Sequence, residues 1–192
     1  KTRNIPFSPP DMSEEEVELV AEALRSGWIT TGPRVKLLER RLAAYIETGR
    51  TDIDCDTDEA KERYSNKVVC LNSATASEEL NLRVLGLQPG DEVIVPAYTY
   101  TASASVTQHV GCRLVFVDSN KDNQQMDLRK LSEAITERTK VIVPVDLGGI
   151  VCQYDEILKI IEQKKRELGR ELMKQSGVPF YDIAKAGRYD DL

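Results

Sequence analysis

From Lys67 onward, short apolar runs alternate with amphipathic stretches, and this alternation is the feature that most limits how the chain can fold. The apolar runs predict β-strands at 68–71, 92–95, 113–117, 141–145 and 178–181, and the stretches between them predict helices at 75–85, 103–110, 128–136 and 154–168. Strands that alternate with helices indicate right-handed crossovers and a mainly parallel sheet. Continuous apolar runs are typical of strands covered on both faces. We therefore expect a three-layer α/β fold.

Two amphipathic helices precede this region. Ser13 and Glu16 match the capping-box pattern at the start of the first helix, and an apolar stripe at 35–46 indicates the second. The loop between them, at 27–33, reads GWITTGP and holds the only tryptophan, Trp28. Trp28 either fills a gap in the packing or lines a ligand or subunit surface, and the sequence leaves both interpretations open.

The composition argues against several classes of protein. The formal net charge is −6, with basic residues interspersed among acidic ones, which is not the pattern of a nucleic-acid-binding surface. No apolar run approaches the roughly 20 residues that cross a membrane, and the N-terminal residues lack the apolar core of a signal peptide. We therefore expect a cytoplasmic protein. Four widely separated cysteines and a single histidine predict no metal site.

The first strand is followed by Ser73-Ala74-Thr75, which opens a predicted helix. The first N–H groups of a helix lack partners within the helix, and the helix dipole favours anions at that end. Two hydroxyls and a small residue at this position suit a phosphate group. Helix capping by Ser73 or Thr75 explains the same residues, and both interpretations remain open.

Two further strand ends carry polar or aromatic groups. The second strand is followed by Tyr98 and Tyr100, either of which could stack on a planar ring, and Asp182 follows the last predicted strand. In parallel sheets ligands bind outside the carboxyl ends of the strands. A phosphate cradle, a stacking aromatic and a carboxylate facing a protonated ring nitrogen together suit pyridoxal 5′-phosphate, PLP.

The sequence resembles the DegT/DnrJ/StrS family of PLP-dependent sugar aminotransferases. The resemblance rests on GWITTGP, NSATAS, LGLQPGDEVIVPAYTYTAS and AITERTKVIVPV, and it covers nearly all of the chain except 48–66. It implies the large α/β domain of the fold-type I, aspartate aminotransferase-like architecture. The expected organisation is an N-terminal helical arm with a substrate and dimer loop at 1–48, a polar insertion at 49–66 and part of the PLP-binding domain at 67–192.

The resemblance assigns roles to individual residues. It implies that Ala74 and Thr75, with Ser73 beside them, hold the cofactor phosphate. It also implies that Tyr100 stacks on the pyridine ring and that Asp182 pairs with the ring nitrogen. The loop around Trp28, Thr30 and Thr31 is expected to shape the substrate entrance near a homodimer interface.

The sequence departs from the family pattern in its last residues. The family forms a Schiff base through a lysine in a Ser-Phe-His-x-x-Lys-like segment, which does not occur before Leu192. We therefore expect that this lysine lies beyond Leu192 and that the smaller C-terminal domain is absent. We also expect this chain alone to be inactive. Lys185 is a possible substitute, but it follows Asp182 by three residues, whereas the reacting carbon lies on the opposite side of the ring. Asp146 and Lys185 stand where the family usually has histidine.

The function expected from the resemblance is transfer of an amino group from an amino acid such as glutamate to a nucleotide-linked keto sugar, in amino-sugar or polysaccharide biosynthesis. The alternative is a non-catalytic truncated paralogue that serves as a binding or dimerising module. A phosphosugar- or nucleotide-binding protein unrelated to transamination would rest on the Thr75 helix terminus alone.

Overall fold

The computed structural model describes the backbone of residues 9–176 and the side chains up to residue 169. In chain order the elements are α1 (Glu14–Arg25), α2 (Pro33–Thr48), α3 (Asp58–Tyr64), α4 (Ala74–Val84), β1 (Glu92–Pro96), α5 (Thr101–His109), β2 (Arg113–Val117), α6 (Leu128–Ala134), β3 (Thr139–Ile142), a 3₁₀ turn (Leu147–Gly149) and α7 (Tyr154–Ser176). The chain divides into two compact units at the junction between Cys70 and Leu71. The first unit contains α1 to α3, and the second contains the sheet and α4 to α7.

The second unit is built on a parallel sheet with the order β2-β1-β3. The central strand β1 is buried along its whole length. Its alternate side chains face opposite sides, so Val93 and Val95 pack in a cluster with residues of α4 and α5, whereas Ile94 packs with residues of α6 and α7. Helices therefore cover both faces of the sheet, which confirms the predicted three-layer α/β architecture.

Local sequence signals explain how the helices of the first unit begin and end. Ser13 caps α1 as predicted: its N–H donates to Glu16 Oε2 at 2.7 Å, and its hydroxyl accepts from the Glu15 N–H at 3.3 Å. Pro33 occupies the first turn of α2, where its missing N–H costs nothing, and Gly49 ends that helix in the left-handed conformation with φ 70°.

A small core holds α2 and α3 together. Its buried members are Ala43, Ala44, Cys55, Ala60 and Tyr64. In contrast, no residue of α1 is buried, and the apolar side chains of that helix face solvent in this structure.

The predicted strand at 68–71 is wrong. These residues form no ladder with another strand in the described part of the chain. The N–H of Cys70 donates instead to Glu39 Oε1 at 3.0 Å, so a buried side chain from α2 takes the place of a neighbouring strand. The apolar pattern was correct for an extended segment, but it does not reveal which partner the backbone bonds.

The other predicted elements lie close to the observed ones, with two informative differences. β3 spans Thr139–Ile142 rather than 141–145, and Pro144 follows it with no N–H to continue the ladder. α7 continues to Ser176 rather than ending at 168, because a single glycine at 169 lowers helix stability without breaking the helix. The predicted strand at 178–181 lies outside the described residues.

One buried carboxylate ties the amino ends of the strands together. Glu92 begins β1 and is only 2% exposed. Arg113 at the start of β2 and Arg138 just before β3 both form ion pairs with its Oε1, at 3.2 and 3.1 Å. The Thr136 hydroxyl donates to its other oxygen at 2.6 Å. Burial by itself would raise the pKa of Glu92, but these hydrogen bonds and charges outweigh it and leave the pKa below its ordinary value.

We expect Glu92→Gln to lower the free energy of unfolding by about 2 kcal/mol near neutral pH, because the two arginines and Thr136 lose a charged acceptor. Since the folded pKa of Glu92 lies below the unfolded value, its contribution is complete above the ordinary glutamate pKa of 4.5 and is lost as the pH falls through the folded pKa. Urea unfolding at neutral and acidic pH measures both effects.

The matched control is Glu133→Gln, which removes an exposed ion pair with Arg129 and should cost less than about 1 kcal/mol. An equal loss from both variants, or a Glu92→Gln effect that does not shrink in acid, would contradict a stabilising role for the buried network.

Candidate active site

The first turn of α4 presents backbone donors at the surface. Ser73 is the N-cap residue, and its hydroxyl accepts from the Ala76 N–H at 3.1 Å. The N–H groups of Ala74 and Thr75 come before that capped position and have no acceptor within the helix. Ala74 is exposed and Thr75 is half-buried. Capping is therefore what Ser73 does in the structure, and its hydroxyl proton and the two N–H groups are still available to an anion.

Tyr100 lies between β1 and α5. It occupies the N-cap position of α5, where its side chain makes no capping hydrogen bond. Its side chain is 79% exposed, compared with 56% for Tyr98 in the same loop. An exposed ring at the start of a helix is free to contact a planar group, and its stacking role stays a prediction.

The first turn of α4 and Tyr100 lie at the same edge of the sheet. α5 begins directly after the carboxyl end of β1, whereas α4 ends at the turn that leads into the amino end of β1, so the two helices point the same way. They pack together, and Glu79 of α4 meets His109 at the end of α5, with 2.9 Å between Oε2 and Nδ1. At 1.5 Å rise per residue, Ala74 lies about 8 Å and Thr101 about 12 Å back from this contact. The two N-termini are therefore nearly level.

Two carboxylates lie at the same edge. Asp118 follows β2 and forms an ion pair with Lys130, whose hydrogen bond lowers the pKa of the Asp118 carboxyl. Asp146 follows β3, and its Oδ1 accepts from the Cys152 N–H at 2.8 Å and from the Tyr154 hydroxyl at 3.1 Å. The Cys152 N–H is the main reason that the pKa of Asp146 lies below its ordinary value. Asp146 therefore holds the loop after β3 through these two hydrogen bonds, at a position where the DegT/DnrJ/StrS pattern usually has histidine.

Sequence reasoning missed Glu78. It lies on α4 three residues after Thr75, and its Oε2 is buried without a hydrogen-bond partner among the described residues. Helical side chains lean toward the N-terminus of their helix, so this carboxyl lies on the side of α4 that leads to the candidate anion site. Burial raises the pKa of Glu78. The sequence pattern that could have indicated Glu78 is its position four residues before Leu82, which places a charged residue on the buried face of α4.

The predicted substrate residues Trp28, Thr30 and Thr31 belong to the first unit. The Trp28 side chain is 58% exposed, and its ring N–H donates to the Thr31 carbonyl at 3.1 Å. A Cβ on Gly32 would lie 2.1 Å from that ring nitrogen, so only glycine leaves room for the indole. Trp28 thus folds over its own loop rather than filling a gap in the core, and its role toward a substrate stays a prediction.

Other predicted residues are not tested by the structure. Asp182 and Lys185 lie outside the described residues. Among the described residues, no group of acidic, histidine and cysteine side chains is arranged to hold a metal ion. No helix in that part of the chain is long and apolar enough to span a bilayer.

Comparison with known families shows which family the chain belongs to. The model of the DegT/DnrJ/EryC1/StrS aminotransferase family matches residues 10–51 and 59–168. The chain belongs to this family. The match confirms the resemblance seen in the sequence motifs. The unmatched residues 52–58 lie inside the predicted insertion 49–66, whose bounds stay a prediction.

Solved structures and curated relatives agree with this membership. The chain is similar to the PLP form of the putative sugar aminotransferase Spr1654 from Streptococcus pneumoniae, with a TM-score of 0.73 and 55% identity over 86% of this chain and 38% of that one. It is 37% identical to the UDP-4-amino-4-deoxy-L-arabinose–oxoglutarate aminotransferase of Shewanella sediminis, over 84% of this chain and 37% of the relative. It is 35% identical to the spore coat polysaccharide biosynthesis protein SpsC of Bacillus subtilis, over 82% and 36%.

The fold is therefore part of the fold-type I architecture of PLP-dependent sugar aminotransferases. The chain spans little more than a third of the length of the relatives it matches.

Proposed function

We propose that this chain is the N-terminal part of a PLP-dependent aminotransferase that transfers an amino group from an amino acid to a keto sugar. The observation that carries the proposal is the shared edge of the sheet, where unpaired N–H groups at the start of α4 lie level with the exposed Tyr100. Membership of the aminotransferase family supports it. PLP supplies an electron sink for chemistry at the carbon that bears the amino group.

The chain fits the phosphate end of PLP. We infer that the N–H groups of Ala74 and Thr75 and the Thr75 hydroxyl bind the phosphate oxygens, with Ser73 capping the helix beside them. The positive end of the α4 dipole favours the negative charge, and the small side chain of Ala74 lets an oxygen approach the backbone.

Tyr100 fits the ring end. We infer that its ring stacks on the pyridine ring and limits how that ring tilts, since offset stacking of aromatic rings is favourable. Asp182 remains the proposed partner of the ring nitrogen, because a nearby carboxylate keeps such a nitrogen protonated. We propose that the lysine that acts at the reacting carbon lies outside the sequence motifs that carry the family resemblance.

We expect the chain to bind PLP and expect Tyr100→Ala to weaken that binding about three- to tenfold, because the stacking contact is lost. Tyr98→Ala, which removes a neighbouring exposed ring, is the matched control and should bind as the unaltered chain does. Fluorescence titration measures the affinities. Equal affinities for all three proteins would contradict the stacking role.

The phosphate contact is tested separately. We expect Thr75→Val to weaken binding of PLP but not of pyridoxal, because only PLP carries the anion that the hydroxyl contacts. An unaltered chain that binds pyridoxal as tightly as PLP would contradict the proposed cradle.

The acceptor is proposed to be a nucleotide-linked keto sugar, with an amino acid such as glutamate as donor, in polysaccharide or amino-sugar biosynthesis. The names of the Shewanella and Bacillus relatives support this class of substrate. Calorimetric titration of the PLP-loaded chain with UDP- and GDP-linked hexoses checks it. Binding of neither nucleotide sugar would contradict the proposed acceptor.

A homodimer is proposed because α1 leaves an apolar stripe exposed. Val17, Val20 and Leu24 recur at helical spacing, and each is at least half exposed. We expect Val20→Gln/Leu24→Gln to shift the protein toward monomer in light scattering. Glu15→Gln/Glu18→Gln on the opposite face is the control. A monomeric unaltered chain would contradict the dimer, as would an unchanged mass for the stripe variant.

A further inference from the structure

Packing alone does not hold the Tyr100 side chain in place. Most of its surface faces solvent, and the side chain makes no capping hydrogen bond to α5. A ring on a free loop would lose conformational entropy on stacking and would bind a planar ligand more weakly. The contacts that restrain the loop therefore affect how tightly Tyr100 can stack on the proposed cofactor.

Ser103 contacts the loop on both sides of the Tyr100 side chain. It lies in the first turn of α5 and is 6% exposed. Its hydroxyl oxygen lies 3.2 Å from Thr99 Oγ1, within hydrogen-bond distance. Its N–H donates to the Tyr100 carbonyl oxygen at 3.2 Å. One buried residue thus binds both the residue before Tyr100 and the backbone of Tyr100 itself.

The other end of the loop is fixed to the sheet. The N–H of Ala97 donates to the Val117 carbonyl at 2.7 Å, which extends the pairing of β1 and β2 by one residue. Tyr98 is then the only residue between the two anchored points. The loop has little freedom while the contact between Thr99 and Ser103 is intact.

We propose that Ser103 and Thr99 are positioning residues that fix the direction of the Tyr100 ring for stacking on the cofactor ring, through the hydrogen bond between their hydroxyls. This inference rests on the proposed function. Neither side chain needs to touch the cofactor, because the effect passes through the backbone on either side of Tyr100.

The test compares the full chain with variants that remove or keep this hydrogen bond. Ser103→Ala and Thr99→Val remove it from opposite sides, and Ser103→Thr retains a hydroxyl. Ser105→Ala is the matched control, since Ser105 lies on the same helix and its hydroxyl donates to the Ala102 carbonyl instead. Three quantities are measured: PLP affinity by fluorescence, the circular dichroism that bound PLP acquires, and amide hydrogen exchange of residues 98–101 without PLP.

We expect Ser103→Ala and Thr99→Val each to weaken PLP binding about three- to tenfold and to reduce the induced circular dichroism. Amide exchange at 98–101 should become faster in both. Ser103→Thr should restore all three quantities, and Ser105→Ala should match the unaltered chain. Because the two variants act from opposite sides, misfolding of one, seen as a lowered melting temperature, leaves the other as the test.

The outcomes separate this inference from the proposed function. PLP binding by the unaltered chain, weakened by Tyr100→Ala but unchanged by Ser103→Ala and Thr99→Val, would overturn the positioning role alone. An unaltered chain that does not bind PLP would overturn the proposed function and this inference with it. Amide exchange at 98–101 in Ser103→Thr that is as slow as in the unaltered chain, together with an equal PLP affinity, supports the inference.

Discussion

The candidate site depends on the complete burial of β1. A central strand with Val93, Ile94 and Val95 fully buried can lie only between two layers of helices. Its amino end is fixed by the Glu92 network, and the ladders with β2 and β3 hold it on both sides. Its carboxyl end is therefore fixed as well, and the loop that carries Tyr100 starts from a rigid point.

The fixed position of β1 also fixes where the candidate site lies, at the carboxyl edge of the sheet. α4 and α5 pack on the same face of β1, and both begin at the carboxyl edge of the sheet. Two helix N-termini pointing to one edge create a region that favours an anion without any basic side chain. Tyr100 is the residue that precedes one of these helices, as the N-cap of α5. The proposed phosphate and ring contacts would both come from the second unit.

Much of the fold could be predicted from the sequence, because the signals were local. The capping box at Ser13, the buried strand at 92–95 and the helix starting near Ala74 each depend on a few neighbouring residues. The conformation of residues 68–71 could not be predicted in this way, because an apolar run predicts an extended segment but not its partner. Here the Cys70 N–H bonds to a glutamate 31 positions earlier. The burial of the Glu78 Oε2 atom likewise depends on packing between elements. The roles of Ala74, Thr75 and Tyr100 came from the family resemblance, and the structure supplies the geometry that makes these roles chemically reasonable.

The central claim is that one sheet edge binds the phosphate through α4 and the ring through Tyr100. An NMR titration that follows backbone amide shifts tests it most directly, with inorganic phosphate and PLP added separately. The account predicts that phosphate shifts the amides of Ala74 and Thr75, and that PLP shifts those two and Tyr100 as well. Shifts confined to other parts of the chain, with Ala74 and Thr75 unchanged by either ligand, would contradict it.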